Sequence, residues 1–297
     1  MKRRCSRWRD AAYLLMLAVV FVLVVVWWRD LAVLWRQHAL TFVGTALMMA
    51  LGMVIQARNF SSFLDVRANL SLARMSGVWG GSALLNYAGP FQPGVLARIV
   101  FLRAHGVDAV AGVLATWRQL CASLWLALAG LAIGLLAMGD ARAHWPAATL
   151  LAVFAGLFVL WRWRERFLPV VLRTLRLQRH QELLMRALAG MPPLAMLGVG
   201  TQYLVGMLVL LWVYPRFGAD MGIGEALVLT CVVYVSALVA VLPGNVGVLE
   251  AIYALGGHEL GLGLKEAAAL ALLLRVAHIG ACLVLLPLAR GVRAGSG

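Results

Sequence analysis

The chain has 297 residues, of which 63% are hydrophobic and only 13% are charged. Soluble domains carry about 25% charged residues, so this composition excludes a soluble globular protein and predicts a single membrane domain over residues 1–297. The formal net charge of +14 would indicate nucleic-acid binding in a soluble protein, but basic residues retained in cytoplasmic loops explain it in a membrane protein.

The first apolar segments are oriented by the basic residues beside them. Five basic residues precede the first predicted helix, residues 11–28, and indicate a cytoplasmic N-terminus. A second helix, residues 39–57, then runs inward. Residues 75–89 are apolar, short and Gly-rich, and helical spacing resumes over residues 93–105. We interpret this pair as a re-entrant hairpin that enters from the cytoplasm; the alternative is one poor spanning helix followed by an interfacial helix.

The middle of the chain predicts two further spanning helices. Residues 110–138 run outward, and residues 146–161 form a connecting helix that returns to the cytoplasm. Residues 162–186 then carry seven Arg against two acidic residues, which is the strongest topological marker in the chain. We expect this basic loop to lie in the cytoplasm.

The last third repeats the earlier order of segments. Residues 194–214 run outward, residues 223–242 lead to a Pro-Gly break, residues 246–257 follow it, and residues 267–289 form the last helix. If residues 223–242 enter from outside as half of a hairpin, the C-terminal arginines lie inside. If they instead span fully with a hairpin behind them, those arginines lie outside.

A short motif marks both breaks. The pattern P-x-x-x-G-V-L begins at Pro90 and again at Pro243, an offset of 153 residues (90 to 243). The flanking apolar segments align with the same offset, giving a first repeat over residues 39–138 and a second over residues 194–289. Because the connecting helix reverses direction, we predict inverted repeats. The predicted fold is an all-α polytopic membrane protein with two re-entrant helical hairpins and about six full transmembrane helices.

Polar side chains near the breaks are the candidate site. Ionisable residues inside a membrane are functional candidates by default, because burying them in hydrocarbon is costly. An Arg–Glu ion pair is one interpretation; recognition of a phosphate by the guanidinium fork is the other. We predict that the charged members line one polar cavity. The candidate ligands of a substrate are Asn86, Arg98, Arg118, Asn245, Glu250 and Arg275, and the candidate hairpin breaks are Pro90, Gly94, Pro243, Gly244 and Gly247.

No catalytic or metal-binding motif accompanies these residues. His278 is the only His well inside a hydrophobic segment, and helix packing explains a single His there. We therefore expect neither an enzyme nor a cofactor or metal.

The two break motifs resemble the membrane-embedded region of lysylphosphatidylglycerol synthases. The resemblance runs from about residue 39 to residue 289 and rests on Asn86 before Pro90-x-x-x-Gly94-x-x-x-Arg98, and on Pro243-Gly244-x-x-Gly247-x-x-Glu250 before the last helix. The sequence departs from the family pattern at Val95 and Trp117, where members often carry an acid. We expect a stand-alone member without the soluble synthase domain.

The resemblance implies lipid translocation between leaflets. We accordingly expect an inner-membrane flippase or transporter whose partner is an anionic or zwitterionic phospholipid, with both termini cytoplasmic, no nucleic-acid partner and a possible homo-oligomeric state. The alternatives are a membrane-embedded lipid-modifying enzyme and a non-transporting membrane scaffold.

Overall fold

A computed structural model describes residues 32–33, 36–64, 70–88, 92–166, 169–170, 185, 193–238 and 245–290 of the chain. Within these residues the structure is almost entirely helical and contains no strand, which confirms the all-α fold. The predicted first helix (11–28), most of the basic loop and Arg293 lie outside the described residues, and so do Pro90, Pro243 and Gly244 at the predicted breaks.

The main helices, labelled in chain order, are α1 (Ala39–Phe63), α2 (Leu72–Leu85), α3 (Pro93–Ala104), α4 (Ala109–Ala137), α5 (His144–Arg162), α6 (Pro193–Val213), α7 (Ile223–Leu238), α8 (Val248–Glu259) and α9 (Leu264–Leu285). Short 3-10 turns follow α2 (Asn86–Ala88), precede α5 (Ala141–Ala143), and continue α6 (Tyr214–Phe217) and α9 (Leu286–Arg290).

Helix length separates two classes of helix in the described part of the chain. Five helical segments, built on α1, α4, α5, α6 and α9, are long and apolar enough to cross a membrane. By contrast, α2 and α3 have 14 and 12 residues, or about 21 and 18 Å at 1.5 Å per residue, which is short of a hydrocarbon core of about 30 Å. The protein is therefore a multi-pass membrane protein, with a pair of shorter helices between α1 and α4 and another pair between α6 and α9.

One helix extends beyond its predicted end. The sequence predicts that the second helix stops at residue 57, before Arg58, but α1 continues to Phe63. The hydroxyl groups of Ser61 and Ser62 donate to the carbonyls of Ala57 and Arg58, one turn earlier, so these polar residues bond to the helix rather than leave it.

Close glycine contacts show that α1 and α6 pack antiparallel. Gly44 near the start of α1 faces the ring of Trp212 near the end of α6, and Gly198 near the start of α6 faces Asn59 near the end of α1. These two helices are equivalent in the predicted repeat. Their opposite directions are what an inverted repeat requires, although the repeat and its orientation in the membrane stay predictions.

The remaining packing is reciprocal between the two halves. The second helix of the first half, α2, packs against α9, where the backbone at Gly80 approaches Cys282. Its counterpart α7 packs against α4, where Gly134 approaches Gly224 and Val228. The short helix α2 thus packs against α9 and the short helix α7 against α4, so each predicted repeat contacts the last helix of the other.

Candidate functional site

The ends of α2 and α3 form the first helical hairpin. The two helices run antiparallel, since Gly94 at the start of α3 lies against the carbonyl of Ser82 near the end of α2, and Arg98, one turn further along α3, lies over Trp79, earlier in α2. The side chain of Asn86 closes the turn by accepting a hydrogen bond from the Gly94 amide at 2.9 Å. Asn86 therefore satisfies an amide that the break leaves without a helical partner.

The end of α7 and the start of α8 form the second hairpin. As in the first hairpin, side chains bond to backbone groups at the break, but different residues supply the bonds. The Asn245 side-chain amide donates to the carbonyl of Ser236 at 3.0 Å. The Gly247 amide, equivalent to that of Gly94, donates to Oε2 of Glu250 at 2.7 Å. Glu250 reaches back over the first turn of α8, where a carboxylate is favoured by the exposed amides and the helix dipole.

The two hairpins share an unusual backbone conformation at equivalent positions. Gln92 and Asn245 have φ angles of 53° and 52°, and they are the non-glycine residues with positive φ in the described part of the chain. Their separation is the 153-residue offset of the motif (92 to 245). A left-handed conformation is unfavourable for an L-residue and persists where surrounding contacts fix it.

Arg275 on α9 joins both hairpins. Its Nε and Nη2 bond the two carboxylate oxygens of Glu250, the second at 2.9 Å, which is a bidentate ion pair. Nη2 also donates to the backbone carbonyl of Asn245 at 3.2 Å, and Nη1 donates to the hydroxyl of Tyr87 at 2.9 Å. One guanidinium therefore holds the end of the first hairpin and the end of the second at the same place.

A histidine extends this network. The Tyr87 hydroxyl lies 3.0 Å from Nδ1 of His278, one turn beyond Arg275 on α9. Because a guanidinium only donates, Tyr87 accepts from Arg275, and we assign its proton to the bond with His278. The interaction of His278 with the first hairpin is more specific than the packing role that the sequence indicated.

The network lies near the middle of a spanning helix. Arg275 is 11 residues from the first residue of α9 and 10 from the last (275 − 264 and 285 − 275), or about 15 Å from either end. That distance is half of a typical hydrocarbon core. Ionised groups at this depth need partners, and the side chains of Arg275 and Glu250 are only 12% and 22% exposed.

Arg98 and Arg118 lie in a different cluster, near the C-terminal turn of α1. The Arg98 guanidinium stacks 3.7 Å from the ring centroid of Trp79 and 5.2 Å from that of Phe60. Arg118 Nη1 donates to the carbonyl of Phe63, the last residue of α1, at 3.3 Å. Trp79 precedes Tyr87 by eight residues, about 12 Å along a helix, so the two clusters lie at different positions along this segment.

Residues 13–285 of the chain match a protein family described as the lysylphosphatidylglycerol synthase TM region. The chain belongs to this family. Neither a comparison with curated proteins nor one with solved structures returns a match. Membership associates the chain with membrane lipids and includes the N-terminal segment that lies outside the described residues.

In this lysylphosphatidylglycerol synthase TM region, the predicted site residues fall into separate groups. Asn245, Glu250 and Arg275 come together at one point, whereas Asn86 fastens the first hairpin and Arg98 and Arg118 form the second cluster. That all the charged residues line one cavity stays a prediction. Sequence reasoning missed Tyr87 and Trp79, although Tyr87 directly follows the Asn86 that marked the break and Trp79 lies in the same Gly-rich segment.

Proposed function

We propose that this protein is an integral membrane lipid flippase that moves a phospholipid headgroup between leaflets without modifying it chemically. The observation that supports this proposal best is the set of hydrogen bonds from Arg275 to Glu250, Asn245 and Tyr87, which we call the Arg275 tie. It joins the two hairpins at the middle of a spanning helix. Two short hairpins that meet at mid-depth divide the path of a headgroup into two halves. Separation of the hairpins from Arg275 then opens one half.

The partners of Arg275 suggest how the tie is exchanged. Its guanidinium donates to Glu250, to Asn245 and to Tyr87 at once. A phosphate offers the same planar pair of acceptors as a carboxylate, so a headgroup phosphate can replace Glu250 while the guanidinium stays paired. The exchange keeps the guanidinium paired, and the displaced Glu250 carboxylate keeps the hydrogen bond that it accepts from the Gly247 amide.

The same proposal includes the partner and the location. The substrate is a phospholipid with an anionic or zwitterionic headgroup, and nucleic acid is not a partner. The protein resides in an inner membrane of bacterial type with both termini in the cytoplasm. A homo-oligomer is compatible with this function, and transport itself requires one copy of the two-hairpin site.

Transport in reconstituted vesicles tests the proposal. Purified protein is placed in vesicles that contain a fluorescent phospholipid, and flipping is measured as the fraction of label that becomes accessible to a membrane-impermeant quencher. We expect Arg275→Ala and Glu250→Gln to abolish flipping. Arg275→Lys should restore only part of it, because an ammonium cannot make the bidentate contact.

The matched control is Arg142→Ala, which removes an exposed arginine from the 3-10 turn before α5. It should flip lipid at the wild-type rate. Full activity of well-folded Arg275→Ala protein would contradict the role of the tie, and absence of flipping by the wild-type protein for every phospholipid tested would contradict the proposed function.

A further inference from the structure

Arg98 is a buried cation without an anionic partner in the described part of the chain. Only 7% of its surface is exposed. Its Nε is fully buried and has no hydrogen-bond acceptor among the described residues, and no ion pair to it is formed there. Removing a charge from water costs several kcal/mol unless a partner compensates it. The aromatic rings supply part of that compensation, and a bound anion would supply the rest.

The aromatic contacts of Arg98 leave its Nε without a hydrogen-bond acceptor among the described residues. Trp79 covers one face of the guanidinium at 3.7 Å, and Phe60 lies at 5.2 Å. Trp79 is itself fixed, because its Nε1 donates to Oε1 of Gln56 at 2.7 Å. Stacking uses the face of the guanidinium, whereas its N–H groups point outward in the plane. A phosphate at the edge of the plane would meet two parallel donors.

Arg275 and Arg118, the other two candidate arginines, differ from Arg98 because their guanidinium groups have hydrogen-bond acceptors. Arg275 is bonded to Glu250, Asn245 and Tyr87, and Arg118 is bonded to the Phe63 carbonyl. An incoming anion must displace a hydrogen-bonded partner at Arg275, whereas Nε of Arg98 has no hydrogen-bond acceptor among the described residues that would have to be displaced. Arg98 is therefore suited to bind a headgroup first.

We propose that Arg98, stacked on Trp79 and Phe60, is a binding site for the phosphodiester of an anionic phospholipid. This inference rests on the proposed function and adds a headgroup site separate from the Arg275 tie. Arg98 has a second arginine, Arg118, in the same cluster and no interacting carboxylate among the described residues, which favours an anionic headgroup over a zwitterionic one. The site lies toward the end of the bundle where α2 begins, which the predicted topology places on the cytoplasmic side.

The first arm of the test uses the wild-type protein in detergent and needs no variant. Thermal stabilisation is measured with dihexanoylphosphatidylglycerol, dihexanoylphosphatidylcholine, dihexanoylglycerol and inorganic phosphate. We expect the anionic lipid to stabilise most and dihexanoylglycerol, which lacks the phosphate, least. Equal stabilisation by dihexanoylphosphatidylglycerol and dihexanoylglycerol would overturn the site. Stabilisation by inorganic phosphate equal to that by dihexanoylphosphatidylglycerol would overturn the assignment of the site to a lipid headgroup.

The second arm locates the binding. Arg98→Gln should weaken binding of dihexanoylphosphatidylglycerol by about tenfold or more, the usual effect of losing charge-assisted hydrogen bonds. Arg98→Lys should recover part of the affinity. The control is Arg103→Gln, an exposed arginine on the same helix, which should bind as the wild type does. Wild-type affinity in folded Arg98→Gln protein would overturn the proposal.

Transport measurements separate this inference from the proposed function. If the wild-type protein binds the anionic lipid through Arg98 but flips no phospholipid, the site stands and the flippase proposal fails. If it flips phospholipid and Arg98→Gln binds and flips as the wild type does, the flippase proposal stands and the Arg98 site fails.

Discussion

The stability of the Arg275–Glu250 pair depends on both charges being present. Replacing one partner of a buried ion pair leaves the other unpaired and typically costs about 3–5 kcal/mol, whereas replacing both costs much less. We therefore expect Arg275→Leu and Glu250→Leu each to lower the free energy of unfolding by roughly that amount, and the double variant to lower it by less than the sum. Unfolding in mixed detergent micelles measures the cycle, and additive losses would contradict the pairing.

At the scale of single residues, the sequence identified the charged residues of the site better than the aromatic residues that contact them. An acid and an arginine inside apolar segments are visible from composition alone, so Glu250 and Arg275 were identified together. Tyr87 was not, because an aromatic residue in an apolar segment carries no signal until its neighbour is known. The aromatic contacts of Arg98 were not predicted, because only the antiparallel path of α2 and α3 places Trp79 against it.

At the scale of the helix, the first hairpin depends on a contact that allows no side chain. A Cβ added at Gly94 would overlap the Ser82 carbonyl and approach Oδ1 of Asn86. Overpacking of this kind typically costs about 1–3 kcal/mol, so Gly94→Ala should lower the thermal unfolding temperature. Gly156→Ala on α5 is the control, since nothing lies within 4 Å of its added Cβ. That variant should leave the unfolding temperature unchanged or raise it; similar losses in both would show that close packing is not the cause.

The helices themselves followed from the sequence because long apolar segments predict spanning helices and Pro marks some of their starts. Pro93 opens α3, and the predicted segment of residues 194–214 matches α6 to within one residue at each end. The ends that were missed depend on side-chain bonds to the backbone, as at Ser61 and Ser62. The reciprocal packing of α2 on α9 and of α7 on α4 is a tertiary property that no local pattern encodes.

At the scale of the whole molecule, the predicted topology assigns each loop to one side of the membrane. Cysteines introduced into a Cys-free protein at Ala141 and Asp220 should react with a membrane-impermeant reagent from outside, because both positions are exposed between helices. Cysteines at Asp108 and at Arg293, which lies outside the described residues, should react only after the membrane is permeabilised. Labelling of Arg293→Cys from outside would contradict the inverted repeat, since the last helix would then run outward.

The bidentate pair at the centre of the bundle has an electrical consequence. Moving one elementary charge through the full membrane potential involves about 2.3 kcal/mol per 100 mV. Arg275 and Glu250 together carry no net charge, and in the proposed exchange of acceptors both stay on their helices while the headgroup crosses the membrane, so the charges of the pair do little work against that potential. Any voltage dependence of transport should then report the charge of the lipid: an imposed potential should change the flipping rate of an anionic phospholipid and leave that of a zwitterionic one unchanged.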